Sequence, residues 1–491
     1  MDKARARAIF KKLRANEILY LNFIDKRRYM WYNFRSEKST IHFWRHDMQN
    51  IINSVEKYRQ LILDAERYIW ANPETGYREV KTTAYLAEKY RELGYELTMA
   101  EGITGFYTVI DTGRPGPTVM ILGELDSVIC ATHPECDPAT GAVHSCGHHA
   151  QSAALLGIAA ALTEPHMLDG LSGKIKLCAV PAEELLEIEY RTELKKQGKI
   201  KYFGGKSEFM HRGYFADVDV AFMVHTGRGF FAKAGMIGCI AKTITYKGKA
   251  AHAGGSPQNG INALYAASCG LNAVNAIRET FTEPEMIRFH PIITQGGAIV
   301  NAIPDKAVIE TFVRGSSYDA IMKENKKINR ALVGAAISLG ANVEIVDVPG
   351  YSPVIQDANM LQVAKKAYES MFEGETFGLS PEVSTGCSDI GDLSMVMPIV
   401  HPYCLGASGT SHGSDYYVND VEAACIKNAK WQLNMLRLLL ENGGELAYKV
   451  KAEYKPTFPS QQAYLEYVDK INSEGNRIVY NEDGTVTADL S

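Results

Sequence analysis

No stretch of 18 or more apolar residues occurs in this 491-residue chain, so a membrane-spanning helix is not expected. There is no internal repeat, no low-complexity tract and no surplus of basic charge. The formal net charge is −5, which makes nucleic acid an unfavoured partner. The nine cysteines, scattered from Cys130 to Cys425, are odd in number and lack disulfide-framework spacing, and no secretory signal opens the chain. A cytoplasmic location, where thiols stay reduced, is the expectation. Apolar residues are plentiful instead, at 46% against 22% charged, enough for a large core in two or more domains.

Residues 1–47 differ from the rest. They carry 12 Lys/Arg against 5 Asp/Glu, interleaved with Tyr29, Trp31, Tyr32, Phe34, Phe43 and Trp44. One reading is a basic arm that touches RNA or membrane. The plainer one, adopted here, is an N-terminal extension outside the folded body, which then begins at Met48.

From there the pattern is globular. Helical spacing is expected over 51–72 and 81–93, and a buried strand at 118–122 (TVMIL). A helix rich in small residues follows at 150–162, with further strands at 174–180 and 218–224. This alternation indicates an α/β fold with a mostly parallel sheet and helices on both faces. The rhythm then changes. Strands at 238–247, 287–294, 306–314 and 342–348, with helices at 262–280 and 319–339, give the order β-α-β-β-α-β, a ferredoxin-like signature. We read 48–234 and 351–444 as two parts of one domain and 235–350 as an insertion. The second part carries a helix at 357–371, a glycine-containing segment at 384–391, a strand at 399–405 and a helix at 422–440. Residues 445–491 form a C-terminal extension without a readable motif.

Four features carry chemistry, each following an apolar run, where strand ends sit at the mouth of a parallel sheet. In His144-Ser-Cys-Gly-His148-His149, a thiol and an imidazole two residues apart can share one metal if the chain turns, and glycine permits the turn. In Pro181-Ala-Glu183-Glu184 a turn would let one carboxylate bind metal and leave the other free as a base. His225 closes the expected strand 218–224, and His412 lies in Gly409-Thr-Ser-His-Gly413. Singly each is weak. A structural zinc on Cys130, Cys136, Cys146 and His148 is the main bland alternative, but those cysteines lack Cys-x-x-Cys pairing.

Taken together, residues 48–444 resemble the amidohydrolase branch of the dimetal aminoacylase/carboxypeptidase family, which includes hydrolases of indoleacetyl-amino acids, hippurate and p-aminobenzoyl-glutamate. The resemblance rests on Gly123-Glu-Leu-Asp126, His144-Ser-Cys-Gly-His148, Pro181-Ala-Glu-Glu184, His225, His252-Ala-Gly-Gly-Ser-Pro257, Gly296-Gly-Ala-Ile-Val-Asn301, Ile303-Pro-Asp305, Arg314 and the segment around His412. It implies that Cys146, His148, Glu184, His225 and His412 hold two divalent ions per subunit, Zn or Mn. It also implies that Glu183 is the general base and that Asp126 orients a ligand imidazole from behind. His252 would stabilise the oxyanion, and Asn301 and Arg314 would hold the carboxylate of a small-molecule substrate. The inserted unit would be the lid and the dimerisation domain of a homodimer. This chain departs from the branch at His149, where Asp is usual, at Glu124, where the usual Asp-x-Asp begins, and in the long charged stretch 187–206.

The implied activity is hydrolysis of the amide bond of N-acyl or N-aroyl amino acids. A dipeptidase or carboxypeptidase on the same scaffold is the near alternative, and a non-catalytic binding homologue the remote one.

Overall fold

A computed structural model describes the backbone of residues 38–490 and the side chains from residue 48 onward. The N-terminal extension read over residues 1–47 lies outside the residues whose side chains are described.

The first sheet has six strands. In sheet order they are Thr98–Met99, Phe106–Asp111, Lys174–Val180, Thr118–Glu124, Val220–Phe222 and Ile399–Val400. The last four pair in parallel and the first two add antiparallel at one edge. Thr118–Glu124 is buried along its whole length, as a strand covered on both faces must be. The connection that leaves Thr118–Glu124 runs to Lys174–Val180 on one side, and the chain then returns to Val220–Phe222 on the other. Such a reversal of direction opens a crevice at the carboxyl ends of the strands. Between the first two of these strands runs His148–Leu162, a helix in which every residue is buried. Its small side chains admit close neighbours: a Cβ on Gly157 would meet Ile62 at 2.5 Å, and one on Gly123 would meet Leu155 at 3.0 Å.

Two expected strands differ. The segment 218–224 shortens to Val220–Phe222 because Asp219 is committed to the backbone amide of Thr118. His225 therefore closes no strand; it opens the twelve-residue strand His225–Met236 of a separate four-stranded sheet. The segment 399–405 breaks at Pro402, which has no N–H to donate to a ladder. Ile399–Val400 stays in the first sheet, and Tyr403–Leu405 pairs with His225–Met236.

The inserted segment forms an antiparallel sheet in the order Ile292–Gln295, Lys306–Gly315, Gly238–Lys247, Asn342–Tyr351. Strict alternation of burial along Lys306–Gly315 and Asn342–Tyr351 marks one covered face. The helices Ala263–Ile277 and Tyr318–Ser338 pack there. One continuous apolar core runs from Met120 and Leu122 through Phe209 and Met236 to Ile244 and Leu332. The C-terminal extension, unreadable in the sequence, forms the helices Glu445–Glu453 and Gln461–Asp469. Its strand Ser473–Asn476 then pairs with Asn342–Tyr351 at the edge of the inserted sheet.

On the covered face, buried Lys242 reaches Asp347 at 2.5 Å and Asn329 at 2.7 Å. Lys242→Met strands Asp347 without its cation and is expected to cost about 3–5 kcal/mol in urea unfolding. A loss below about 1 kcal/mol would mean that the pair is solvated.

Candidate metal centre

Three strand ends and two turns build the site. Cys146 and His148 flank Gly147, which caps the helix His148–Leu162 at φ 87°. A Cβ there would lie 2.5 Å from Tyr416 Oη and 2.8 Å from Thr226 Cβ, so only glycine makes this turn without displacing its neighbours. Glu183 and Glu184 follow Ala182, held at φ 55° with its N–H donated to Glu79. Glu184 N–H donates to Asp126 Oδ2 at 2.8 Å. The backbone carbonyls of the pair are held by Tyr351 Oη, which donates to Glu183 O, and by buried Arg191, which donates to Glu184 O. Arg191 comes from the long charged stretch, part of which folds as the helix Ile188–Lys196. His412 also has positive φ, at 62°, and its N–H donates to Ser145 O at 2.9 Å, tying its loop to the Cys146 turn.

These elements bring five donors together in two groups that share Cys146. One is Cys146, His148 and His225; the other is Cys146, Glu184 and His412, with the donor atoms of each group within 4.8 Å of one another. A third group of the same size joins Glu124, His148 and Glu183. Cys146 Sγ lies 3.4 Å from His225 Nε2, and His412 Nε2 lies 3.1 Å from Glu184 Oε1. His148 Nδ1 donates to the Asp126 carbonyl at 2.9 Å and His225 Nδ1 to the Thr226 carbonyl at 2.8 Å. Each ring thereby turns Nε2 toward the cluster.

The electrostatics match this geometry. Burial and Glu184 oppose ionisation of the Cys146 thiol, but His148 and His225 outweigh them and bring it down to about 6. Burial also opposes ionisation of Glu184, yet His412 and His148 hold it at about 2, and Glu184 in turn lifts His412 to about 11. Glu183 goes the other way: burial, Glu124 and Glu184 push its carboxyl well above the ordinary range.

The donor set fits divalent ions. Two donors on one tetrahedral ion, with bonds of about 2.0–2.3 Å, stand roughly 3.3–3.6 Å apart, close to the spacings found here. His148 Nε2 is buried without a hydrogen-bond partner among the described residues, as an open coordination position would be. Thiolate and imidazole with carboxylate suit Zn and tolerate Mn. Cys130 and Cys136 belong to none of the donor groups found among the described residues, so the structural-zinc alternative gains no geometry.

The family description "Peptidase family M20/M25/M40" matches residues 134–437. The chain belongs to this family. Among M20 relatives, it is 27% identical over 331 residues to indole-3-acetyl-aspartic acid hydrolase of Enterobacter agglomerans, covering 55% of this chain and 70% of that one. It is 29% identical over 293 residues to the Xaa-Arg dipeptidase of Homo sapiens, covering 57% and 62%. One component of the p-aminobenzoyl-glutamate hydrolase of Escherichia coli K12 is 26% identical over 330 residues, with 55% and 70% covered. The fold is that of a dinuclear metal binding M20 peptidase from Bacillus subtilis, with TM-score 0.58, 20% identity, and 78% of this chain and 99% of that chain covered. An aminobenzoyl-glutamate utilization protein from Klebsiella pneumoniae shares it at TM-score 0.59 and 18% identity, with 79% and 98% covered.

Other residues singled out in the sequence lie elsewhere. His252 and Asn301 are exposed in the inserted segment, joined to each other through Ala253 N–H to Asn301 O. No hydrogen bond or ion pair among the described residues links either to the five donors. His252 Nδ1 accepts from the N–H groups of Gly254 and Gly255, leaving Nε2 outward. Arg314 rests on Phe312 and donates to Cys387 Sγ at 3.5 Å. His149, which replaces the branch's usual Asp, turns away from the cluster to Glu66 at 3.3 Å. Missed altogether was Lys206, fully buried between Glu124 and Asp389. Its faint signal is the pair Gly204-Gly205 before it: a Cβ on Gly205 would strike Pro181 O at 1.7 Å, so this backbone must touch the Glu183 turn.

Gly147→Ala is expected to cost about 1–2 kcal/mol of stability through its positive φ, and to weaken metal uptake by turning Cys146 and His148 apart. Thermal melting and zinc titration of the metal-free protein check this. Unchanged zinc affinity would show that the turn is dispensable.

Proposed function

We propose that this M20 chain is a metal-dependent amidohydrolase that cleaves the amide bond of N-acyl or N-aroyl amino acids. The observation that carries it is the convergence of Cys146, His148, Glu184, His225 and His412 with Glu183 beside them. On this reading Cys146 is shared, with His148 and His225 holding one divalent ion and Glu184 and His412 the other, Zn or Mn. Ions held by these residues would supply Lewis acidity toward an amide carbonyl and water.

The protein's own groups do the rest. Glu183 is buried beside Glu124 and Glu184, and its raised proton affinity suits it to take a proton from the attacking water and hand it to the leaving nitrogen. Asp126 holds the His148 ring from behind through its carbonyl and the Glu184 backbone through its carboxylate. Arg314, with no acidic side chain in ion-pair contact among the described residues, pairs with the carboxylate of the leaving amino acid, and Asn301 assists.

Residues 235–350 serve as lid and dimerisation domain between catalytic parts 48–234 and 351–444, with 445–491 as an appendage. His252 stabilises the oxyanion in the site of a second subunit, which agrees with its outward Nε2. The edge strand Ile292–Gln295 is exposed throughout, and Val300 is 101% exposed nearby, an apolar rim suited to a second copy. All nine cysteines are free, in keeping with a reducing cytoplasm. No described helix is long and apolar enough to cross a membrane.

A hydrolysis screen tests the reading. N-acetyl and N-benzoyl amino acids, and matching dipeptides with a free α-amine, are offered with Zn and Mn added separately. Turnover of the acylated series is expected. Preference for the dipeptides would favour the dipeptidase alternative, whose relative is 29% identical; turnover of neither would overturn the proposal. Glu183→Gln is expected to keep its metal by elemental analysis while losing about 10²–10⁴-fold in kcat. Full activity in that variant would remove Glu183 from proton transfer.

A further inference from the structure

Resting on the metal-binding reading above, we infer that Glu124 is a sixth metal donor, completing the position held by His148. Glu124 and His148 are both fully buried, and Glu124 Oε2 lies 3.3 Å from His148 Nε2. Both atoms lack a hydrogen-bond partner among the described residues, including each other. His148 donates its Nδ1 proton to the Asp126 carbonyl at 2.9 Å, so in the neutral ring that binds a metal Nε2 is the atom with the free lone pair. Without a metal a proton on Nε2 answers the carboxylate: burial opposes that charge, but Cys146 and Glu124 outweigh it and raise the ring's hold on the proton; a divalent ion would take the proton's place between the same two atoms. Their spacing matches that of two donors on one ion with bonds of about 2.0–2.1 Å.

The other oxygen of Glu124 explains why the first is free. Lys206 Nζ takes Oε1 at 2.5 Å, and Lys206 is in turn gripped by Asp389, whose Oδ2 also accepts the Lys206 N–H at 3.0 Å. Gln151 Oε1 accepts the Glu124 N–H at 2.7 Å. The carboxylate is therefore fixed at one oxygen and at its backbone, with Oε2 aimed into the cluster. Glu183 Oε2 stands 3.9 Å from the same nitrogen, on the far side of the Glu124–His148–Glu183 group. Lys206 is a positioning residue that balances the charge Glu124 adds.

Titration of the metal-free protein with Co²⁺, followed by visible absorption, tests this. Two equivalents are expected to bind to the wild type. Glu124→Gln removes the charge, and Glu124→Asp keeps the charge for Lys206 but withdraws the carboxylate by one methylene. In each, one equivalent should bind more weakly, by at least the roughly 10–100-fold that loss of a supporting partner costs, and its absorption band should change shape, because the band reports coordination. The second equivalent should keep its affinity. Lys206→Met should weaken the same equivalent less. Should Glu124→Gln not fold by circular dichroism, Glu124→Asp carries the test alone. Two Co²⁺ bound with wild-type affinity and spectrum in a folded Glu124 variant would reduce Glu124 to a counter-charge for Lys206 and overturn the inference. A wild type that takes up no Co²⁺ would instead overturn the metal-dependent reading on which it rests.

Discussion

The architecture is governed by the concentration of ionisable donors in one buried space. Glu124, Glu183, Glu184, Cys146, His148 and His225 meet within a few ångströms, and most of their surface is buried. Desolvated carboxylates and a thiolate repel one another, and each costs several kcal/mol to bury unpaired; the imidazoles offset part of this. Only a rigid scaffold with strong opposing charge can hold them. Lys206 supplies one such charge and the donor spacing leaves room for more. The opposite shifts of the adjacent Glu183 and Glu184 follow from where their neighbours sit: Glu184 faces His412, and Glu183 faces other carboxylates.

The rigidity of the scaffold comes from ordinary sheet physics. The parallel strands Thr118–Glu124, Lys174–Val180 and Val220–Phe222 end on the same side, and the reversal of connection direction opens space there. Backbone groups near the cluster are committed: Asp126 to His148 and Glu184, Ser145 to His412, Gly147 to Thr226. Residues at positive φ, Ala182 and His412, stand beside or among the donors, where close packing sustains backbone strain.

Much of this was legible in the sequence because its signals are local. TVMILGE and KIKLCAV are nearly unbroken apolar runs, and Glu124 and the Glu183-Glu184 pair end or directly follow them. Gly147 between Cys146 and His148 announces its turn. The inserted sheet was legible through its period-two alternation. What escaped depends on distant partners. Lys206, Glu124 and Asp389 are far apart in sequence, and none alone marks a buried triad. The strand His225–Met236 mixes glycine, arginine and lysine with aromatics, so it shows no clean alternation. The strand Ser473–Asn476 reads SEGN and has little intrinsic preference for extended structure; the open edge of Asn342–Tyr351 decides its conformation.

That last strand has a mechanical consequence. The chain enters the inserted sheet next to Met236 and leaves it next to Val354, and these two residues are themselves paired. Two crossings side by side join the inserted sheet to the rest of the chain at one place. The tail adds a third tie at a distance: Tyr464 Oη is bonded to Asp392 and Ser352, while Ser473–Asn476 zips onto the far edge of the sheet. Displacing the inserted sheet from the rest of the chain would have to carry the helix Gln461–Asp469 off its seat or unzip a four-residue ladder. The C-terminal segment thus bridges the inserted sheet and the Asp392 segment without touching a donor of the metal cluster.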